Sequence, residues 1–397
     1  MFFVCIVYGM CNPHPMDSFD YQYRIAQAML SGKLGIERPI SWLNELVPFE
    51  GKYYSVFPLG GVLCMVPVAF LQKIRGVDEY PAREIIAWIA GATTLFVTML
   101  AGRYRDPIPR RLMLVLFVMF GSWAWCNLAF GSAWQLALAG AMLGQFGALA
   151  FTLINRRPVL AGFCFAIAFG NRTEILLTAP LFMYLLIRHD PYRRPVPDSL
   201  PIAFRPRLVA QWRSILEFAA FPFLLGVATL WYNYARFHNP LDFGYARIPG
   251  LLNEFWYKHG FFSIQAIPLN LESMILSSSW EPMVAWPYFR PRPFGGSIFS
   301  ATPFLLLLFR DDGRDRVLRN VCWIAIGLLT IALWVHGNPG GWQFSYRYAV
   351  VLLPWISVIL LDQRGGKVTA VEWVLLGLSI LSNAWAVYVF FWTTCIS

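Results

Sequence analysis

Two carboxylates three residues apart, Asp17 and Asp20, stand in the run His14-Pro15-Met16-Asp17-Ser18-Phe19-Asp20-Tyr21, directly after the apolar stretch Met1 to Cys11. A carboxylate where a polar loop leaves a bilayer is costly unless it is solvated, paired or used. Partial desolvation raises its pKa and makes it a better base toward a hydroxyl proton. Further along come Arg172 and Glu174, Arg236, the Arg290/Arg292 pair, and the run His336-Gly-Asn-Pro-Gly-Gly-Trp-Gln-Phe-Ser-Tyr-Arg347-Tyr348. Guanidinium groups offer bidentate recognition of phosphate. A carboxylate facing several arginines at an apolar interface suits one chemistry: the carboxylate deprotonates an acceptor hydroxyl while the arginines hold a lipid-linked phosphate as leaving group. Aromatic side chains of the same loops, Tyr53 and Tyr54 among them, suit stacking on sugar rings or isoprenoid.

Each of these residues also has a structural reading. Asp17 fits the N-cap of a helix over 18–31 that stops at Gly32. Asp20 fits a solvated charge on that helix. Arg172 and Arg347 fit anchors snorkelling at span ends. Arg236, Arg290 and Arg292 fit anchors or loop ion-pair partners, and most Trp and Tyr fit an interfacial belt.

The elements that must position these residues are membrane spans. Of 397 residues, 57% are hydrophobic and 14% charged, with mean hydropathy +0.52, against about 25% charged in soluble domains. Apolar runs of spanning length recur from end to end. The fold class expected is an all-α polytopic transmembrane bundle of about 11 spans, a single domain over 1–397 with no separate soluble domain. The spans are 1–11, 84–102, 111–130, 133–153, 158–170, 174–188, 215–235, 298–309, 320–336, 347–361 and 370–392. The first is partial, because eleven helical residues reach about 16 Å. The net charge of +10 is carried in short loops between apolar runs, which points to membrane orientation and away from nucleic acid. Five alternate loops, 103–111, 154–158, 188–214, 310–319 and 362–372, hold 18 of the 32 Lys and Arg. That bias places them in the cytoplasm and the long loops 12–83 and 236–297 outside an inner membrane. Phe57 to Leu71, with Pro58, Gly60, Gly61 and Pro67, reads as an interfacial or re-entrant helix within the first outer loop. Glu50-Gly51 reads as a tight turn, and 190–207 as a Pro/Arg-rich cytoplasmic linker. The seven cysteines lack metal-type spacing and read as small core residues. The histidines have no ligand spacing either.

Several segments resemble the GT-C superfamily of membrane glycosyltransferases, in particular its bacterial protein O-mannosyltransferase-like and aminoarabinose-transferase-like branches. They are Asp17-x-x-Asp20, the helix end Ala28-Met-Leu-Ser-Gly-Lys-Leu-Gly35, Asn44-Glu-Leu-Val-Pro-Phe-Glu-Gly-Lys-Tyr-Tyr-Ser-Val-Phe-Pro58, Gly170-Asn-Arg-Thr173, and Gly341-Trp-Gln-Phe-Ser-Tyr-Arg-Tyr348 followed by Pro354. The resemblance implies a polyprenyl-phosphate sugar donor, an extracytoplasmic active site and inversion at the anomeric carbon. It implies a catalytic carboxylate at Asp17, or at Asp20 one turn on. It implies phosphate contacts from Arg172 and Arg347, flanked by Glu174 and Tyr348. The short outer loop Gly131-Ser-Ala-Trp134 carries no acid where the metal-dependent branch has one, so no metal or other cofactor is expected. The partners expected are the lipid-linked donor, a lipid, glycan or protein acceptor, and membrane lipids. Two other classes fit part of this pattern: a flippase of polyprenyl-linked sugars, and an O-antigen polymerase or ligase that uses diphosphate-linked donors. Midplane charges and internal repeats, which a transport path calls for, are scarce.

Overall fold

Some apolar runs become helices of membrane length, and others, such as those holding Gly121 and Pro303, become shorter pieces. The computed structural model describes residues 1–188, 204–310, 312–363 and 366–395. In chain order the helices are α1 (Phe2–Met10), α2 (Tyr21–Met29), α3 (Leu59–Arg75), α4 (Ala82–Ala101), α5 (Ile108–Met119), α6 (Ala124–Ala129), α7 (Ala133–Leu153), α8 (Pro158–Asn171), α9 (Ala179–Arg188), α10 (Phe204–Phe237), α11 (Ile267–Leu271), α12 (Ile298–Ala301), α13 (Arg316–Val335), α14 (Leu353–Asp362) and α15 (Ala370–Trp392). Five of these, α4, α7, α10 over Trp212–Phe237, α13 and α15, are long and apolar enough to cross a membrane. The chain is an integral membrane protein.

The other expected spans are realised in fragments. The run 111–130 splits into α5 and α6 at Phe120–Trp123. The run 298–309 is α12 followed by a 3-10 segment, Pro303–Phe309, and 347–361 is a 3-10 turn, Arg347–Leu352, leading into α14. The paired short spans are α8, then the 3-10 segment Thr173–Thr178, then α9. The linker expected over 190–207 lies outside the described residues as far as 203.

α7 is the hub. Almost all its side chains are buried, and it packs on α4, α8 and α14. Gly140 and Gly144 face α8, and a Cβ on Gly144 would lie 2.5 Å from the Ala168 nitrogen. Small residues at this spacing let helix backbones approach closely in a bilayer. α10 is the opposite case, with only 6% of its apolar window buried, so its hydrophobic surface is left for lipid.

α3 is longer than the short segment expected, because its 17 residues continue past Leu71 to Gly76, where a left-handed C-cap ends it. Gly60 near its start touches α8 so closely that a Cβ would stand 2.4 Å from Gly170 Cα. Gly60→Ala is therefore expected to cost about 1–3 kcal/mol by overpacking. A thermal scan of the purified chain in nanodiscs checks this, and an unchanged midpoint would show that the two backbones can separate freely.

Two short β-ribbons interrupt the all-helical expectation. In the first, β1 (Leu46–Phe49) pairs antiparallel with β2 (Lys52–Ser55). Glu50 and Gly51 form the turn with φ of 46° and 74°, the signs a two-residue type I′ hairpin needs. The second joins β3 (Trp280–Pro282) to β4 (Phe289–Pro291).

The two ends of the bundle differ. One gathers the arginine-rich loops into ion pairs: Glu372, 1% exposed, meets Arg110 at 3.3 Å and Arg310 at 2.9 Å, while Arg314 meets Asp106 and Arg188 meets Asp315. The other end collects the long loops and every candidate site residue.

Candidate active site

α8 ends one residue short of Arg172, whose extended backbone (φ −138°, ψ 104°) turns the chain into the following 3-10 segment. Beneath it, Asn171 fills the space left by Gly61 of α3 and Gly140 of α7 and donates to the Ile167 carbonyl at 2.9 Å. The Arg172 guanidinium is 24% exposed, pairs with Glu174 at 2.7 Å and lies over the Tyr348 ring at 4.8 Å. The opposite side of this arrangement comes from the segment before α14. Asn127 of α6 clamps the backbone of Phe344, donating to its carbonyl at 2.7 Å and accepting from its N–H at 3.2 Å. Gln343 accepts the Arg347 N–H at 3.1 Å. Arg347 is thereby held over the same Tyr348 ring at 5.2 Å.

Arg347 is only 6% exposed. Its Nη1 donates to the Trp342 carbonyl at 3.2 Å, its Nε has no partner, and it has no ion-pair partner among the described residues. A buried guanidinium without a counter-charge is unfavourable, and an anionic ligand relieves it. His336 stands beside the pair, with its ring 5.8 Å from Tyr348 and Nδ1 at 2.9 Å from the Asn338 carbonyl, a contact that requires the proton on Nδ1. Burial lowers its pKa, against the hydrogen bond to Asn338 and the charge of Glu174, and the nearby Arg172 and Arg347 lower it further. Asn270 fixes this corner by donating to the His336 carbonyl at 2.8 Å and accepting from the Tyr346 hydroxyl at 2.9 Å.

A carboxyl in electrostatic range of Arg347 is that of Glu45, a residue of the segment 44–58 that neither spacing nor neighbouring charge marks out in the sequence. Tyr21 at the start of α2 sets the strand entry, accepting the Glu45 N–H at 3.2 Å and donating to Asn44 Oδ1 at 3.2 Å. Trp134 Nε1 donates to both carboxylate oxygens of Glu45, at 3.2 and 3.0 Å. Burial pushes Glu45 up from 4.5 to about 7, against the Trp134 hydrogen bond and the positive charge of Arg347, while Glu254 adds to the rise. The Tyr245 hydroxyl, from the second long loop, lies in electrostatic range of Tyr348, Tyr257, Glu45 and Arg172.

Asp17 and Asp20 sit elsewhere. They line a cavity of about 820 Å³ with residues of α2, α3 and the loop before α4, and neither Arg172 nor Arg347 is part of its wall. The N-cap of α2 is Asp20, not Asp17, and its side chain makes no capping bond because it is turned to Arg24 at 2.6 Å. Burial raises the Asp20 pKa, against the pull of Arg24. Tyr54 is buried against Phe237 with ring centroids 5.5 Å apart, and Tyr53 pairs with Ile36 and Pro48, so both tyrosines build the hairpin. Arg236 donates to the Ser55 carbonyl at 2.7 Å and stacks on Tyr232. Arg290 pairs with Glu281 across the second ribbon. Among the described residues no group of three or more His, Cys, Asp or Glu is placed to hold a metal ion.

The fold and site thus define a polytopic helical membrane protein with arginines and a near-neutral carboxyl gathered at one end. Among solved structures it is similar to ArnT from Cupriavidus metallidurans, solved bound to undecaprenyl phosphate, at 12% identity and a TM-score of 0.48, over 96% of this chain. The chain spans 61% of the length of that ArnT chain. No protein-family model matches the sequence, and no curated protein does.

Proposed function

We propose that this chain is a membrane glycosyltransferase that moves a sugar from a polyprenyl-phosphate donor to an acceptor hydroxyl on the extracytoplasmic side. The observation that carries the reading is the buried Arg347, without an ion-pair partner among the described residues, in electrostatic range of Glu45, a carboxyl raised to about 7. Arg347 and Arg172, sharing the Tyr348 ring, hold the donor phosphate. Glu45 takes the proton of the acceptor hydroxyl as its oxygen attacks the anomeric carbon. A new C–O bond forms, the bond from that carbon to the phosphate oxygen breaks, and its electron pair leaves on the lipid phosphate. The guanidinium groups meet the charge that develops there. A single displacement inverts the anomeric carbon. Glu45 is preferred over Asp17 and Asp20 as base because its charge is coupled to Arg347, whereas Asp20 responds to Arg24 and Asp17.

The test is a proteoliposome assay with a radiolabelled polyprenyl-phosphate sugar and a mixture of membrane glycolipids as acceptor. Labelled sugar is expected on the acceptor in step with release of free polyprenyl phosphate. Donor that crosses the bilayer intact, with no release, would make the chain a flippase instead. Release only from a diphosphate-linked donor would make it a polymerase- or ligase-type enzyme.

A further inference from the structure

Resting on that reading, we propose that the cavity lined by Asp17 and Asp20 is the acceptor site and that it takes a carbohydrate without acidic groups. The cavity is an open cleft of about 820 Å³, within the size range of small-molecule sites. Its wall carries an aromatic platform of the kind sugars stack on. Trp42 is 53% exposed, yet its ring is fixed, because Nε1 donates to the Ser18 carbonyl at 3.1 Å. An exposed indole held rigid presents a large apolar face at little entropic cost. Asp17, next to Ser18 in the chain, is exposed at the edge of this platform. It makes no ion pair among the described residues and is free to accept hydrogen bonds from ligand hydroxyls. Gln27 and Lys73 add donors. Tyr80 lines the same cavity at 8% exposure, and its hydroxyl has no hydrogen-bond partner.

Charge selects among ligands. With Asp20 matched by Arg24, Asp17, Asp78 and Glu79 face Lys73 in the cavity wall. A phosphate or uronate would meet net repulsion there, while a neutral polyhydroxyl finds acceptors and donors alike. The walls are braced for such a role. Gln72 of α3 donates to the Glu79 carbonyl at 3.0 Å, and Arg83 of α4 donates to the Pro13 carbonyl. α2 ties the cavity to the proposed base: its N-cap Asp20 lines the cavity, and the next residue, Tyr21, accepts the Glu45 N–H at 3.2 Å.

The experiment is saturation-transfer NMR on the full chain in nanodiscs with a panel of neutral di- to tetrasaccharides and their uronate analogues. Transfer to ring protons of a neutral sugar is expected, with uronates weaker. Trp42→Phe should keep it, and Trp42→Ala should weaken it about tenfold. Asp17→Asn provides a second variant whose folding does not depend on the indole, and it should also weaken binding. Absence of transfer from every neutral sugar, or equal transfer in wild type and both weakening variants, overturns the proposal. Binding needs no donor, so the two readings fail separately. Sugar binding without any glycosyl transfer would sink the proposed function alone, and transfer without sugar binding would sink the acceptor site alone.

Discussion

Glu45→Gln is expected to lower kcat for glycosyl transfer by about 10²–10⁴-fold, the range that a positioned general base supplies, with little change in donor KM. Glutamine keeps the shape and the ability to accept from Trp134, so the loss reads the missing basicity and not a collapsed loop. The pH profile gives an independent readout. Wild-type kcat/KM should rise with pH and level off above about 7, where Glu45 is ionised. In Glu45→Gln that limb should vanish. Stability runs the other way. The folded-state pKa lies above the ordinary 4.5, so the native state holds a proton that the unfolded chain has released. Glu45 therefore costs the fold progressively as pH rises from 4.5 to 7, and Glu45→Gln should flatten that part of the stability profile. A variant that keeps wild-type turnover at pH 7.5 would remove Glu45 from the mechanism.

Arg347→Ala should reduce kcat/KM by about 10²–10³-fold, the loss seen when one preorganised charge-stabilising donor is removed. Arg347→Lys should recover only part of it, since an ammonium keeps the charge but loses the fork that matches phosphate. Two further outcomes separate this role from a structural anchor. Removing a buried guanidinium that has no carboxylate partner should leave the thermal midpoint unchanged or raised, whereas loss of an anchoring ion pair would lower it. Arg347 also holds the Glu45 pKa down, so the midpoint of the activity–pH profile should move upward in Arg347→Ala. An unmoved midpoint together with a lowered melting temperature would assign Arg347 to packing.

Much of the architecture was legible along the chain. The span read over 133–153 is α7, the span over 370–392 is α15, and Glu50-Gly51 is the turn of a hairpin. These features depend on local apolar length, capping and backbone preference, which neighbouring residues encode. The breaks were less legible. The run 111–130 looked continuous in hydropathy, yet it splits where Gly121 packs on Phe117, and α3 runs on past Leu71 because nothing before Gly76 stops it.

The site divides along the same line. Residue types and their order were enough to mark Arg172 and Arg347 as anion-binding candidates on one face of a membrane bundle, because apolar runs dictate which loops share a side. Which acid lies in electrostatic range of Arg347 is visible only in the tertiary structure. Asp17 and Asp20 advertise themselves by standing beside an apolar run, but they face the cavity between α2 and α3. Glu45 is inconspicuous in the sequence, and its raised pKa comes from burial, opposed by the Trp134 hydrogen bond, 89 residues away in the chain, and by the charge of Arg347. A carboxyl's basicity depends on burial and on charges met across space, and neither is a property of its neighbours in the chain.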